Sequence, residues 1–167
     1  MRVLVTAASR HGATRDIGSR IVAELRSGGH DADLVDPQDV SSLDGYDAVV
    51  LGSAIYVARW LPAAREFARR FAADLAERPV WLFSSGLAMS PAAAANSPAE
   101  TRALIAAVRA RGHRAFGGLL DRSVLSFAER AIVAAARGKE GDHRDLAAVT
   151  QWAGIIADEL ARTAAPA

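Results

Sequence analysis

The sequence predicts a three-layer α/β fold, in which one parallel β-sheet lies between two layers of helices. Short apolar runs rich in β-branched residues alternate with longer segments of helical periodicity, as in open α/β sheets. Several of these runs are continuously apolar, which is typical of strands buried on both faces. The five predicted strands cover residues 3–6, 30–35, 48–51, 80–83 and 114–119.

Helices are predicted between these strands, because apolar residues recur there every three or four positions. The predicted helices cover residues 14–27, 61–76, 98–112 and 145–162. The last is the most regular, with one apolar face formed by Leu146, Val149, Ala153, Ile156 and Leu160. Because right-handed crossovers leave few other arrangements, the expected order of the five strands is 2-1-3-4-5.

Residues 121–144 exceed what this topology needs, and we call them the insertion. A helix is predicted over residues 123–137, followed by a polar loop. The apolar stripe of this helix could lie on a membrane surface, or it could pack against the domain or a second copy in a homodimer. Packing is favoured, because alanine-rich stripes bind lipid weakly. Since no linker or repeat divides the chain, residues 1–167 are expected to form a single domain.

Composition excludes several functions. The chain has no cysteine, which rules out cysteine zinc sites, thiolate nucleophiles and thiol redox pairs, so redox chemistry would need a bound cofactor. Twenty basic and 19 acidic residues give a net charge of +1, which does not favour nucleic-acid binding. The N-terminus has neither the basic region nor the cleavage site of a signal peptide, so a cytoplasmic location is expected.

Ligands of open α/β sheets bind where the strand order reverses, which here means the loops after strands one, three and four. The first of these, the phosphate loop, consists of Ser9, Arg10, His11, Gly12, Ala13 and Thr14. Its backbone N–H groups and the hydroxyls of Ser9 and Thr14 could hold a phosphate at a helix N-terminus, although Thr14 could be merely a helix cap. The absence of the GxGxxG and Walker A motifs favours a mononucleotide phosphate.

The other two loops combine small residues with free backbone donors. The ring loop, after strand three, consists of Ser53, Ala54, Ile55, Tyr56 and Val57. A flat ring could lie against Tyr56, and the small residues beside it would let the backbone approach the polar edge of that ring. The third loop, after strand four, consists of Ser84, Ser85, Gly86, Leu87 and Ala88.

Together these segments resemble the flavodoxin-domain family that contains menaquinone-dependent protoporphyrinogen dehydrogenase, a protoporphyrinogen oxidase. Residues 9–15, SRHGATR, resemble that family's phosphate motif S-[KR]-x-G-x-T-R, and residues 52–55, GSAI, resemble its ring-loop motif G-[SA]-[SA]-I. Residues 83–87 resemble its third flavin loop. The insertion is a second point of resemblance, through residues 141–144, GDHR, and Trp152.

The resemblance implies a flavodoxin-like fold and noncovalent FMN, with its phosphate on the phosphate loop and its isoalloxazine between the ring loop and the third loop. It implies an oxidoreductase, in its most specific form one that oxidises protoporphyrinogen in heme biosynthesis and passes electrons to a quinone. The implied partners are a porphyrinogen and a quinone or redox protein. Peripheral contact with the inner face of the cell membrane would fit them. Because the flavin would supply the chemistry, no catalytic acid or base is assigned.

Two other functions fit the same residues. One is a flavodoxin-type electron carrier without its own substrate, but such carriers are usually strongly acidic and this chain is nearly neutral. The other is a flavin-free phosphate-binding or regulatory domain, since a fold does not fix a function. His11 could neutralise the phosphate or donate a proton.

Overall fold

The computed structural model describes residues 1–86, 99–135 and 139–164. Its strands are β1 (Arg2–Ala8), β2 (Asp31–Val35), β3 (Ala48–Tyr56), β4 (Arg59–Trp60), β5 (Val80–Gly86), β6 (Gly112–Gly117), β7 (Leu119–Leu120) and β8 (Gly141–Asp142). Its α-helices are α1 (Ala13–Ser27), α2 (Pro62–Arg70), α3 (Ala72–Ala76), α4 (Ala99–Ala107), α5 (Phe127–Ala135) and α6 (Leu146–Ala164), and a 3-10 helix covers Arg122–Val124.

The central sheet has the order β2-β1-β3-β5-β6, and these five strands are parallel. The predicted order 2-1-3-4-5 is therefore confirmed. Ser53 of β3 pairs with both Ala8 of β1 and Ser84 of β5, so the carboxyl ends of the three central strands lie side by side. This register brings the three predicted loops to one edge of the sheet.

Separate apolar clusters cover the two faces of the sheet, as the three-layer prediction requires. The first cluster joins α1 and α6 to β1, with Val5, Ile21 and Ile156 all fully buried. The second joins α2 and α3 to β3 and β5 on the opposite face, with Phe67 and Leu75 at its centre. Burial on both faces explains why these strands are continuously apolar in sequence.

Two central strands are longer than predicted. β3 continues to Tyr56 and β5 to Gly86, so most of the ring loop and the start of the third loop are strand. Pairing between β3 and β5 extends to Ala54 and Ser85, and β4 turns back antiparallel onto β3. These ladder bonds keep the polar, small residues extended, although apolar periodicity alone does not mark them as strand.

The predicted helix over residues 61–76 is two helices, because the backbone leaves the helical conformation at Phe71 (φ −106°, ψ 20°). The Phe71 ring is buried and lies 5.1 Å from the ring of Phe67. Both helices therefore contribute to one core cluster despite the break.

The insertion contains more than the predicted helix over residues 123–137. Asp121 accepts hydrogen bonds from the backbone and hydroxyl of Ser123, which stabilise a 3-10 turn, and α5 begins only at Phe127. Residues 136–138, at the predicted end of the helix, lie outside the described residues. The predicted fifth strand ends at Gly117 rather than at 119, since Leu119–Leu120 pairs with Gly141–Asp142 of the insertion.

Within the part of the chain that is described, no helix is both long and apolar enough to span a membrane.

A glycine is required at position 52, because a Cβ there would lie 2.0 Å from the ring of Phe83. We expect Gly52→Ala to lower the free energy of unfolding by about 1–3 kcal/mol, the usual cost of overpacking a core. Gly112→Ala is the matched control, since its Cβ would meet Trp81 at an ordinary 3.7 Å. Urea denaturation of both variants measures the difference, and equal stability would contradict the steric argument.

Candidate functional site

The phosphate loop leads into α1 through Gly12, whose φ of 89° is in the left-handed region that favours glycine. No side chain caps this helix, so the first N–H groups of α1 have no side-chain acceptor. Thr14 is 2% exposed, and neither it nor Ser9 makes a side-chain hydrogen bond within the described residues. Uncapped N–H groups and two free hydroxyls form a donor set that suits a phosphate.

The ring loop is a β-hairpin in which Tyr56 pairs with Arg59. Its two turn residues, Val57 and Ala58, have φ of 48° and 56°, and Val57 is 72% exposed. A two-residue turn with both φ values positive normally uses Asn or Gly, and non-glycine residues held there cost about 1–3 kcal/mol each. The surrounding contacts must therefore hold this turn in place.

The serine hydroxyls of the ring loop and the third loop form hydrogen bonds with other groups of the protein. Ser53 Oγ accepts from the Leu61 N–H at 2.9 Å and donates to the Ala54 carbonyl at 2.8 Å. Ser84 Oγ accepts from the Trp60 indole N–H at 2.9 Å and lies 2.8 Å from His113 Nε2.

Burial lowers the pKa of His113, so its neutral imidazole accepts the Ser84 proton. Ser85 Oγ donates a longer bond of 3.4 Å to the Gly117 carbonyl. The serine hydroxyls of these two loops therefore fix the strand ends, and the backbone is left to contact a ligand. Leu87 and Ala88, predicted in the third loop, lie outside the described residues.

Glu129 of the insertion joins two of the predicted loops, and sequence reasoning did not place it in the site. One carboxylate oxygen, Oε1, lies 2.8 Å from Arg10 Nε and 3.1 Å from His11 Nε2. The same oxygen accepts the Tyr56 hydroxyl proton at 2.9 Å. Because a carboxylate only accepts, His11 carries its proton on Nε2 in this arrangement.

The other oxygen of Glu129 belongs to a capping box. Ser126 donates its backbone N–H to Oε2 at 2.8 Å, and the Ser126 hydroxyl accepts from the Glu129 N–H at 3.3 Å. This S-x-x-E pattern before an apolar run is the one sequence signal that points to Glu129, but it predicts only a helix start. The loop contacts depend on the tertiary fold.

This cluster shifts the pKa values of Tyr56 and Glu129 in opposite directions. Hydrogen bonds from Ser126, and then from Tyr56 and His11, lower the pKa of Glu129 to about 2. Burial, and then the bond to Glu129, raise the pKa of Tyr56 to about 12. At neutral pH the carboxylate is therefore ionised and the phenol keeps its proton.

The insertion is also anchored to α1. Arg144 donates to both carboxylate oxygens of Asp142, at 2.8 and 2.7 Å, and to Asp16 in the first turn of α1 at 2.9 Å. The hydrogen bonds that Asp142 accepts from Arg144, first from the side chain and then from the backbone, lower the pKa of Asp142 to about 2. A Cβ at Gly117 would lie 2.0 Å from the His143 carbonyl oxygen, so a glycine there allows the close approach.

Trp152 of α6 lies beneath this region in an aromatic cluster. Its ring is 5.7 Å from that of Phe116 and 6.3 Å from that of Phe83, both edge-on. Trp152 therefore packs against β5 and β6, while His143 holds the insertion close to Gly117 of β6.

These residues fit a flavin mononucleotide. The phosphate loop offers hydroxyl and backbone donors, and the hairpin carries a half-buried tyrosine ring at the same edge of the sheet. Among the described residues no group of His, Asp and Glu side chains could hold a metal ion. The chemistry of the donor set thus agrees with an anionic, aromatic ligand.

Glu129 is expected to make the protein less stable as the pH is lowered into the acid range. Its pKa is about 2 in the folded protein against an ordinary value of 4.5, so between these values the unfolded chain binds more protons. The stabilisation is complete above about pH 4.5 and is lost as the pH falls through 2. We expect wild type to lose more stability than Glu129→Gln between about pH 5 and pH 3.

Urea denaturation at both pH values measures this difference. Glu140→Gln, which removes an exposed carboxylate of the same insertion, is the control and should follow wild type. Other carboxylates, including Asp142, contribute equally to all three proteins and cancel. Equal losses in wild type and Glu129→Gln would contradict the role assigned to the cluster.

Comparison with known proteins gives matches to both the sequence and the fold. Residues 4–147 match the flavodoxin domain family. Protoporphyrinogen IX dehydrogenase [quinone] of Escherichia coli K12 is 30% identical over 89 residues, which are 52% of this chain and 49% of that protein. The chain thus spans about half the length of the curated relatives it matches.

Two solved structures illustrate the likeness in fold. A flavodoxin from the domain Archaea has a TM-score of 0.69 at 15% identity and covers 96% of this chain and 99% of its own. Rubredoxin oxygen:oxidoreductase from Desulfovibrio gigas has a TM-score of 0.65 at 14% identity, over 98% of this chain and 37% of that one. Identities this low show the fold alone.

The family match covers the phosphate loop, the ring hairpin, β5 and the insertion, and it agrees with the observed strand order. It confirms the flavodoxin-like architecture and the prediction of a bound flavin. The chain belongs to the flavodoxin domain family, and its cofactor is FMN.

Proposed function

We propose that this protein is an FMN-dependent oxidoreductase that oxidises a porphyrinogen and passes the electrons to a quinone. Each two-electron oxidation of the porphyrinogen releases two protons, and reduction of one quinone to a quinol takes up two electrons and two protons. The likeness to protoporphyrinogen IX dehydrogenase [quinone] of Escherichia coli supports this choice of substrates.

The observation that carries the proposal is a set of exposed apolar side chains on the ring hairpin and on the insertion that is bonded to it. Val57 at the hairpin tip is 72% exposed, while Phe127 and Val124 of the insertion are 90% and 51% exposed. The hydrogen bond between Tyr56 and Glu129 connects the hairpin to α5, the helix that begins at Phe127. Exposed apolar side chains of this kind suit an apolar reactant such as a quinone better than a small polar one.

The residues of the chain bind and orient the reactants. The phosphate loop holds the cofactor phosphate, and Tyr56 offers a wall for its ring system. When bound, FMN supplies the electron transfer, and the protein sets its position and its electrostatic surroundings. The exposed side chains of α5 and the hairpin then place the apolar reactant against the accessible edge of the site.

The test is an anaerobic assay of the FMN-loaded protein with protoporphyrinogen and menadione as the quinone. We expect porphyrin fluorescence to appear only when protein and quinone are both present, at a rate above that of free FMN. A rate equal to that of free FMN would overturn the proposal. Transfer of electrons to a redox protein without porphyrin formation would identify an electron carrier instead.

Phe127→Ser tests the apolar surface directly. Burying a phenylalanine side chain is worth about 1.5–3 kcal/mol, so partial loss of this contact should raise the KM for the quinone by roughly tenfold. Since the side chain is 90% exposed, the midpoint of thermal unfolding and the FMN affinity should not change.

Ile155→Ser is the matched control for this variant, because Ile155 is 55% exposed on α6. Its kinetic constants should equal those of wild type. If both variants change the KM equally, or neither does, the surface around Phe127 is not the quinone site.

Removal of two hydroxyls tests the phosphate loop. We expect Ser9→Ala combined with Thr14→Ala to weaken FMN binding, since each neutral hydrogen bond contributes about 0.5–1.5 kcal/mol. Fluorescence titration of FMN measures the dissociation constant. Ser19→Ala, an exposed serine further along α1, is the control. An unchanged dissociation constant in the double variant would exclude these hydroxyls from the phosphate site.

A further inference from the structure

Glu129 is a buried carboxylate shared between a helix cap and two loops of the flavin site. Its side chain is 7% exposed, and burial of a charge is costly unless the charge is paired. Four groups meet it: the Ser126 N–H at Oε2, and Arg10, His11 and Tyr56 at Oε1. Three of these four partners lie outside the insertion, in parts of the sequence far from Glu129.

The helix cap alone does not require this arrangement. A capping box is equally well completed by glutamine, because only one side-chain oxygen has to accept from the capping residue. In Glu129 that oxygen is Oε2, and the remaining oxygen is directed at the loops. A negative charge there is suited to Arg10 and to a donor on His11, which the cap does not need.

The same contacts fix the orientation of the Tyr56 ring. Its hydroxyl donates to Glu129, and the guanidinium of Arg10 lies over its face, 5.0 Å from the ring centre. The ring is thus held at its edge and on one face. The turn that follows has two non-glycine residues with positive φ, which persist only when neighbouring contacts hold them.

We propose that Glu129 is a positioning residue of the flavin site, whose ionised carboxylate joins the phosphate loop to the ring hairpin. The inference rests on the flavin site described above. Because the two loops are connected within the protein itself, less conformational freedom is lost when FMN binds. Pre-organisation of this kind raises affinity without any contact between Glu129 and the ligand.

The test compares the FMN dissociation constants of three variants by fluorescence titration. Glu129→Gln retains a capping side chain but removes the charge, and we expect FMN to bind about tenfold more weakly. Ser126→Ala removes the cap and leaves the charge, so it should lower stability but change FMN binding less than threefold. Glu140→Gln should match wild type.

Two results would overturn the proposal. One is wild-type FMN affinity in Glu129→Gln, which would show that the charge does not organise the site. The other is an equal loss of affinity in Ser126→Ala and Glu129→Gln, which would show that Glu129 acts only through helix stability.

A double-mutant cycle of FMN affinity with Tyr56→Phe distinguishes a positioning role of Glu129 from a purely structural one. If Glu129 acts through the Tyr56 hydroxyl, Tyr56→Phe should weaken binding by itself, and adding it to Glu129→Gln should have little further effect. If the double variant instead loses affinity by the product of the two single losses, Glu129 does not act through the Tyr56 hydroxyl. The visible circular dichroism of bound FMN should change alike in both single variants, since both release the same ring.

These titrations contain neither porphyrinogen nor quinone. Failure of the proposed enzymatic activity would therefore leave the result for Glu129 intact. Conversely, unchanged FMN binding in Glu129→Gln would leave the proposed reaction untouched.

Discussion

Parallel pairing of β1, β3 and β5 is the constraint on which the candidate site depends. Ser53 of β3 is in register with Ala8 of β1 and with Ser84 of β5, so the three strands reach the same edge of the sheet. Burial of these strands between two layers of helices prevents a shift in register, because a shift by one residue would move every side chain to the other face. Segments far apart in sequence therefore meet at one place.

Polar groups at this edge divide into two sets with different roles. Ser53 forms a hydrogen bond with Leu61, and Ser84 forms hydrogen bonds with Trp60 and His113. These bonds hold the strand ends and the hairpin together. The phosphate loop has the opposite character, with an uncapped helix and hydroxyls that have no acceptor among the described residues. N–H groups at a helix N-terminus that no side chain caps are characteristic of an anion site.

The insertion packs against this edge of the sheet and contacts the loops there. Arg144 connects it to the first turn of α1, Glu129 to the phosphate loop and the hairpin, and the close approach of His143 to Gly117 fixes it against β6. Two of its charged side chains are turned inwards, Glu129 at 7% exposed and Arg144 at 12%, whereas Phe127 is 90% exposed. The insertion therefore contacts two loops of the candidate site and also carries an exposed apolar side chain.

Local sequence determined the two-sided core and the composition of the candidate phosphate loop, because apolar periodicity and loop composition act over a few residues. The strand order was predictable for a different reason, since right-handed crossovers leave few other arrangements. The extent of β3 and β5 was not predictable in this way, since small polar residues such as Ser84 become strand only when a neighbouring strand pairs with them. Glu129 was missed for a similar reason. Its capping box is local, but its contacts with Arg10 and Tyr56 join segments more than seventy residues apart, and only the tertiary structure brings those segments together.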